Sequence, residues 1–161
     1  MTKYLEIITS LKEVDVSKSE FMEEEIDIMI HKLKFLSQDN LPKTIILDQD
    51  NNYLPVISSI LEEKVKIAGG RSISDLNQNP DCMIIIQRND NLYSQLPELI
   101  QNQHISESSA FKNNNIFIIQ KTNFNTSDQE YLQDTEILAE IIQPKYFVFG
   151  HQDIHWVKFD I

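Results

Sequence analysis

Cysteine is nearly absent: Cys82 is the only one in 161 residues, so no internal disulfide can form and redox chemistry assigns no compartment. Its place at the head of the apolar run 83–86 marks it as a small buried hydrophobe rather than a reactive thiol. No apolar run reaches the ~18 residues that a membrane span needs. Glu6, Lys12 and Glu13 interrupt the amino terminus before a signal-peptide core can form. The chain as written is therefore expected to be cytoplasmic, or periplasmic or cell-surface if it is a fragment of an exported protein. Positive charge is also scarce. Lys and Arg number 14 against 25 Asp and Glu, a net charge of −11. Such a surface repels phosphate backbones and anionic lipid, which excludes nucleic acid and membrane surfaces as partners. Catalytic motifs are missing too: there is no Gly-x-Ser-x-Gly elbow, no P-loop and no Gly-x-Gly-x-x-Gly after a strand.

What is present is an ordinary globular composition, 41% apolar and 24% charged, at a length that suits one domain. Tyr4, Leu5, Ile7, Ile8, Leu11 and Val14 fall on one helical stripe. Ser17 and Glu20 fit a capping box that opens a second helix running to about Ser37. Glu23, Glu24 and Glu25 in its first turns and Lys32 and Lys34 near its end match the helix dipole, so the acidic triplet reads as a solvated face. Four β-type runs follow, at 44–47, 65–68, 83–87 and 116–120. The first and third are almost uninterrupted apolar runs, as parallel strands covered on both faces require. Between them the pattern predicts helices at 56–63, with Pro55 in the first turn, at 72–76, at 92–101 with a kink at Pro97, and a helical turn at 108–112. Ser127 and Glu130 open a last helix that Pro144 ends. The tail is β-like at 146–149 and 154–159, a hairpin or an added edge strand. The expected fold is a three-layer α/β domain with a mainly parallel four- to five-stranded sheet, helices on both faces, and a long helix before it.

Several segments together resemble a known family. Ala68-Gly69-Gly70-Arg71-Ser72-Ile73 is similar to its Ala-Gly-Gly-Arg/Lys-Asn-Ile/Val segment. Asn79-Pro80-Asp81 before an apolar strand, Phe111-Lys112-Asn113-Asn114-Asn115-Ile116-Phe117, and Leu138-Ala139-Glu140-Ile141-Ile142-Gln143-Pro144-Lys145-Tyr146-Phe147 follow in the family's order. Residues 19–147 resemble the carboxyl-terminal lobe of class III periplasmic binding proteins, the cobalamin and iron-siderophore binding components of ABC transporters. The resemblance implies one domain over 1–161: an extra segment at 1–18, a long helix at 19–37 like the one that joins the two lobes, a lobe-like core at 43–147 and a tail at 148–161. The amino-terminal lobe is missing. The family's ligand lies between two lobes, so a homodimer or a separate partner is expected to supply the second half of a site.

Ligands of open α/β sheets bind at the carboxyl ends of strands. The candidate site residues are therefore Asp48, Gln49 and Asp50 after the first strand, Gly69, Gly70 and Arg71 after the second, Gln87 and Arg88 after the third, and Asn123 and Phe124 after the fourth. Arg71 and Arg88 offer planar donor forks to a carboxylate or phosphate, and Phe124 a ring for a macrocycle. The implied function is non-enzymatic binding of a cobalamin or ferric chelate, with no resident cofactor and no metal held by the protein alone. An interaction or dimerisation module that has lost its ligand is the alternative, with the aromatic tail, Tyr146 to Phe149 and Trp156, as its interface. A weaker one is a small enzyme holding a divalent cation on Asp48 and Asp50. His151 and His155 lie in a turn-and-strand context with too few partners for a zinc site, and His31 and His104 stand alone.

Overall fold

The structure, a computed structural model, describes residues 1–160. Two helices come first, α1 (Thr2–Val14) and α2 (Val16–Leu33). Strands and helices then alternate as β1 (Lys43–Asp48), β2 (Leu54–Pro55), α3 (Ser59–Ile67), β3 (Arg71–Ser72), β4 (Cys82–Ile86) and α4 (Leu92–Leu99). The short helices α5 (Gln103–Ser106) and α6 (Ser109–Lys112) lead to β5 (Ile116–Ile119), α7 (Tyr131–Ile142) and β6 (Trp156–Phe159). No helix among the described residues is long and apolar enough to cross a membrane.

The sheet has six strands in the order β2-β1-β4-β5-β6, with β3 beside β2 on the outer edge of β1. β1, β4 and β5 are parallel and in register, Asp48 opposite Ile86 and Ile86 opposite Ile119. β3 joins β1 in parallel; the edge strands β2 and β6 run antiparallel to their neighbours. Side chains alternate across the sheet. Ile46, Ile84, Ile86, Phe117 and Ile119 pack under α1, α2, α3 and α7, while Ile45, Leu47, Met83, Ile85 and Ile118 pack under α4, α5 and α6. Both faces are covered, which is why the central strands are apolar throughout. The Cys82 thiol is buried in this core, and burial pushes its pKa up to about 12, leaving it inert.

Helix α1 is fastened to the domain, not appended to it. Tyr4 and Ile8 are buried, and the Tyr4 ring sits 5.8 Å from that of Tyr131. No side chain of its own caps its amino end. Glu63 on α3 does so instead, accepting from the Lys3 and Tyr4 amides at 2.8 Å each. A carboxylate there also meets the positive end of the helix dipole.

The structure departs from the sequence pattern at several points. Residues 65–68 are not a strand but the last turn of α3 and its cap. Val-Lys-Ile-Ala alternates like a strand, yet Leu61, Lys64, Val65 and Ala68 form a buried helical stripe in which Lys64 hides as a charge. Gly69 and Gly70 then close the helix, the Gly70 amide donating to Val65 and the Gly69 amide to Lys66, with Gly69 at φ +90°. Pro55 lies in β2, on an edge where its missing N–H is harmless, and Ser58 caps α3. Ser72 belongs to β3, and the turn of helix expected at 72–76 falls at Leu76–Gln78 as a 3-10 turn. Helix α2 starts before Ser17, because Asp15 caps it by accepting from the Lys18 amide, and it ends at Leu33 rather than near Ser37. The tail is an added edge strand, β6, and residues 146–149 are not a strand. Phe147 and Trp156 are buried in the domain's own core, so they do not offer a dimer surface.

Candidate functional site

The carboxyl ends of β1, β4 and β5 converge on Arg88. Its Nε and Nη2 grip both oxygens of Asp48, at 3.1 and 2.8 Å. Its Nη1 donates to the carbonyls of Thr122 at 2.7 Å and Phe124 at 2.9 Å. One guanidinium thus ties the loop after β5 to the end of β1, a use of the planar fork that lysine cannot reproduce. Gln49, almost fully buried, accepts from the Arg88 and Asn89 amides at 2.7 and 3.0 Å and donates to the Asn89 side chain at 2.8 Å. Gln87 donates to the Asn89 carbonyl at 3.1 Å. Burial raises the Asp48 pKa, but the hydrogen bonds and charge of Arg88, with the Asp50 amide, outweigh it and hold the carboxyl below its usual range.

This geometry sorts the ten expected residues. Asp48, Gln49, Gln87 and Arg88 come together as a self-satisfied network. The Arg88 donors are committed to Asp48 and two carbonyls, so its side chain organises the face rather than reaching a ligand. Phe124 contributes its carbonyl, while its ring is fully buried in the core and cannot stack on anything outside. Asp50 and Asn123 are exposed on the same side. Gly69, Gly70 and Arg71 are elsewhere. Arg71 pairs with Lys43 at the start of β1, at the amino end of the sheet, and its Nε donates to the Leu41 carbonyl at 2.9 Å. The premise that placed these three at a strand's carboxyl end fails because the strand before them is a helix. A divalent cation on Asp48 and Asp50 meets the same obstacle as a ligand at Arg88: Asp48 has both oxygens engaged. Among the described residues no group of three His, Cys, Asp or Glu gathers to hold a metal.

Sequence reading missed Tyr93, on the first turn of α4. It is exposed, and its hydroxyl accepts from the Gln120 side chain at 2.7 Å, across the ends of β4 and β5. Its signal was faint, a lone aromatic two residues past a loop. The exposed strand-end face therefore combines Asp50, Asn123, Tyr93 and Gln120 over a framework locked by Arg88.

The clamp carries a pH prediction. Asp48 titrates lower in the folded state than unfolded, so its contribution is complete above about pH 4 and is lost as pH falls through the lower folded value. Arg88→Met should cost about 2–3 kcal/mol at neutral pH by urea unfolding, and the gap from the parent chain should shrink below about pH 4. A gap that does not change with pH would show that the pair is not what holds the loops.

No protein-family model and no curated protein matches the chain. Solved structures do. An ABC transporter substrate-binding protein from Listeria monocytogenes EGD-e superposes with a TM-score of 0.65 at 17% identity, over 88% of this chain and 64% of that one. The heme complex of IsdE from S. aureus gives 0.62 at 18% identity, over 84% and 62%. The TroA-like periplasmic binding protein FepB from Veillonella parvula gives 0.61 at 13%, over 82% and 47%. This chain thus spans less than two thirds of each of these proteins, and its fold is that of a periplasmic binding protein lobe.

Proposed function

We propose that the chain is a non-enzymatic ligand-binding domain that presents one face of a two-part site, the other part coming from a second lobe. The shared fold carries this reading: the Listeria protein that superposes is an ABC transporter substrate-binding protein, IsdE holds heme, and in open α/β sheets the strand carboxyl ends are where ligands sit. The Arg88 framework supports it by fixing those ends, since a rigid platform lowers the ordering cost of binding. The ligand class that suits the face is a flat or chelated metal compound, a ferric chelate, cobalamin or heme. Tyr93 would pack on it, while Asp50, Gln120 and Asn123 meet its polar edge. This reading puts the chain outside the cytoplasmic membrane, working with a membrane transporter.

Thermal unfolding against ferric siderophores, cobalamin, heme and molybdate tests it. A binder at a hundred times its dissociation constant should add about 2.7 kcal/mol, and Tyr93→Ser should abolish the shift. No shift across the panel favours the second reading, a domain that has kept the fold and lost the ligand. The closed polar network at the strand ends, with its arginine spent internally, is the observation on that side.

A further inference from the structure

The apolar surface of helix α1 runs from the core out to solvent. Tyr4 and Ile8 are buried. Ile7 and Leu11, half-buried against the edge of the core, and the exposed Val14, spaced i, i+4, i+7, also line a groove of about 420 Å³ between α1, α2 and α7. Phe21 and Met22 of α2 and Leu132 of α7 complete its floor. Much of this apolar surface is open: Val14 is 86% exposed and Phe21 57%, with Val16 beside them at the α1–α2 turn, also 57% exposed. Single exposed apolar residues are ordinary, but a contiguous set lining a groove between helices is a recognition surface. None of its lining residues belongs to the strand-end face.

Charge identifies the occupant. Residues 2–33, which hold both α1 and α2, contain eight carboxylates against four lysines. Asp128 stands exposed on the rim, Glu136 lies behind it hydrogen-bonded to His151 at 3.0 Å, and Lys18 is the only cation lining the groove. Around this groove the acid excess of α1 and α2 argues against a second copy seated on it, since two such rims would repel. Apolar side chains at helical spacing on α1, with Phe21 of α2 and Leu132 of α7 opposite, suit the apolar face of a helix.

We infer that the α1–α2–α7 groove docks a helix of a partner protein, amphipathic, with an apolar stripe flanked by lysine or arginine. The surface is independent of the strand-end reading and stands whether or not a ligand binds there.

A labelled synthetic helix of leucines at 3.6-residue spacing with lysines on its flanks is the probe, titrated by fluorescence anisotropy against the full chain. It should bind in low salt and weaken as salt rises. Phe21→Ser and Val14→Ser, both at exposed positions and confirmed folded by unchanged melting, should each weaken it about tenfold or more. The inference is overturned if both variants bind like the parent, if a peptide with alanine for leucine binds equally well, or if glutamate for lysine makes no difference. It is also overturned, in favour of a second copy, if sedimentation shows a dimer that Phe21→Ser dissociates.

Discussion

Asp134→Ala should lower stability by about 3–5 kcal/mol. Asp134 is fully buried on α7 and accepts from Lys64 at 3.2 Å, Lys121 at 2.8 Å and the Asn125 amide at 2.9 Å. Lys64, on α3, is itself 1% exposed; its ammonium lies over the Tyr131 ring, 5.1 Å from the centroid, and donates to Asn125 at 3.2 Å. Burial pulls the Lys64 pKa down, and the Asp134 carboxylate offsets only part of that. Lys121 keeps one other carboxylate, Glu130, at 2.9 Å. Removing Asp134 leaves two ammonium groups in the core with one partial partner between them, the situation in which breaking a buried pair costs most. Asp134→Asn retains an acceptor for the Asn125 amide but not the charge, so it should recover only a minor part. Replacing Lys64 with Met and Asp134 with Leu together should be less damaging than Asp134→Ala alone, because no unpaired charge then remains at Lys64. Urea unfolding of the three variants checks this, and a loss below about 1 kcal/mol for Asp134→Ala would mean water already reaches the cluster.

Glu140 should be nearly as sensitive, and its loss should be local. From the inner face of α7 it accepts four donors: the Phe149 amide at 2.9 Å, Gly150 at 3.2 Å, His151 at 3.1 Å and the Trp156 indole at 3.3 Å. These bonds gather the whole tail and seat β6 on the sheet edge. Hydrogen bonds to a charged acceptor contribute about 1.5–3 kcal/mol each, though a set sharing one carboxylate does not add fully. Glu140→Ala is therefore expected to cost about 3–4 kcal/mol. Glu140→Gln should be little better, since its amide nitrogen would face donors where an oxygen is required. Trp156 is the only tryptophan, so its emission should shift to the red as the tail loosens, before global unfolding. Emission unchanged from the parent would show that β6 holds without its hub.

These two carboxylates also mark what a sequence discloses and what it does not. The central strands were legible because burial on both faces forces unbroken apolar runs, as in Ile45-Ile46-Leu47 and Met83-Ile84-Ile85-Ile86. The last helix was legible in part: Pro144 follows its end, while Ser127 caps the 3-10 turn Asp128–Glu130 that leads into it, without the expected capping box, since the Glu130 carboxylate goes to Lys121. Lys64 and Asp134 were not, because each takes its meaning from a partner 70 residues away, and a buried lysine reads as surface in any local window. The alternation of Val65-Lys66-Ile67-Ala68 likewise disguised the end of α3 as a strand and carried Gly69, Gly70 and Arg71 to the wrong end of the sheet. Glu63 capping α1, 60 residues before it, is a further long-range device without a local trace. At the strand ends, residue types marked loops that the structure brings together, at Asp48, Gln49, Gln87 and Arg88. They could not reveal that the arginine is bound internally, nor that Phe124 turns inward while Tyr93 turns out.

The central claim is that the strand carboxyl ends form a ligand face. Amide chemical-shift mapping tests it most directly, by titrating the labelled chain with a ferric chelate, cobalamin and heme. The account predicts shifts concentrated at 50–53, 89–93 and 120–125 with at least one of these compounds, and their disappearance in Tyr93→Ser. Shifts confined to other surfaces, or none with any compound, would contradict it.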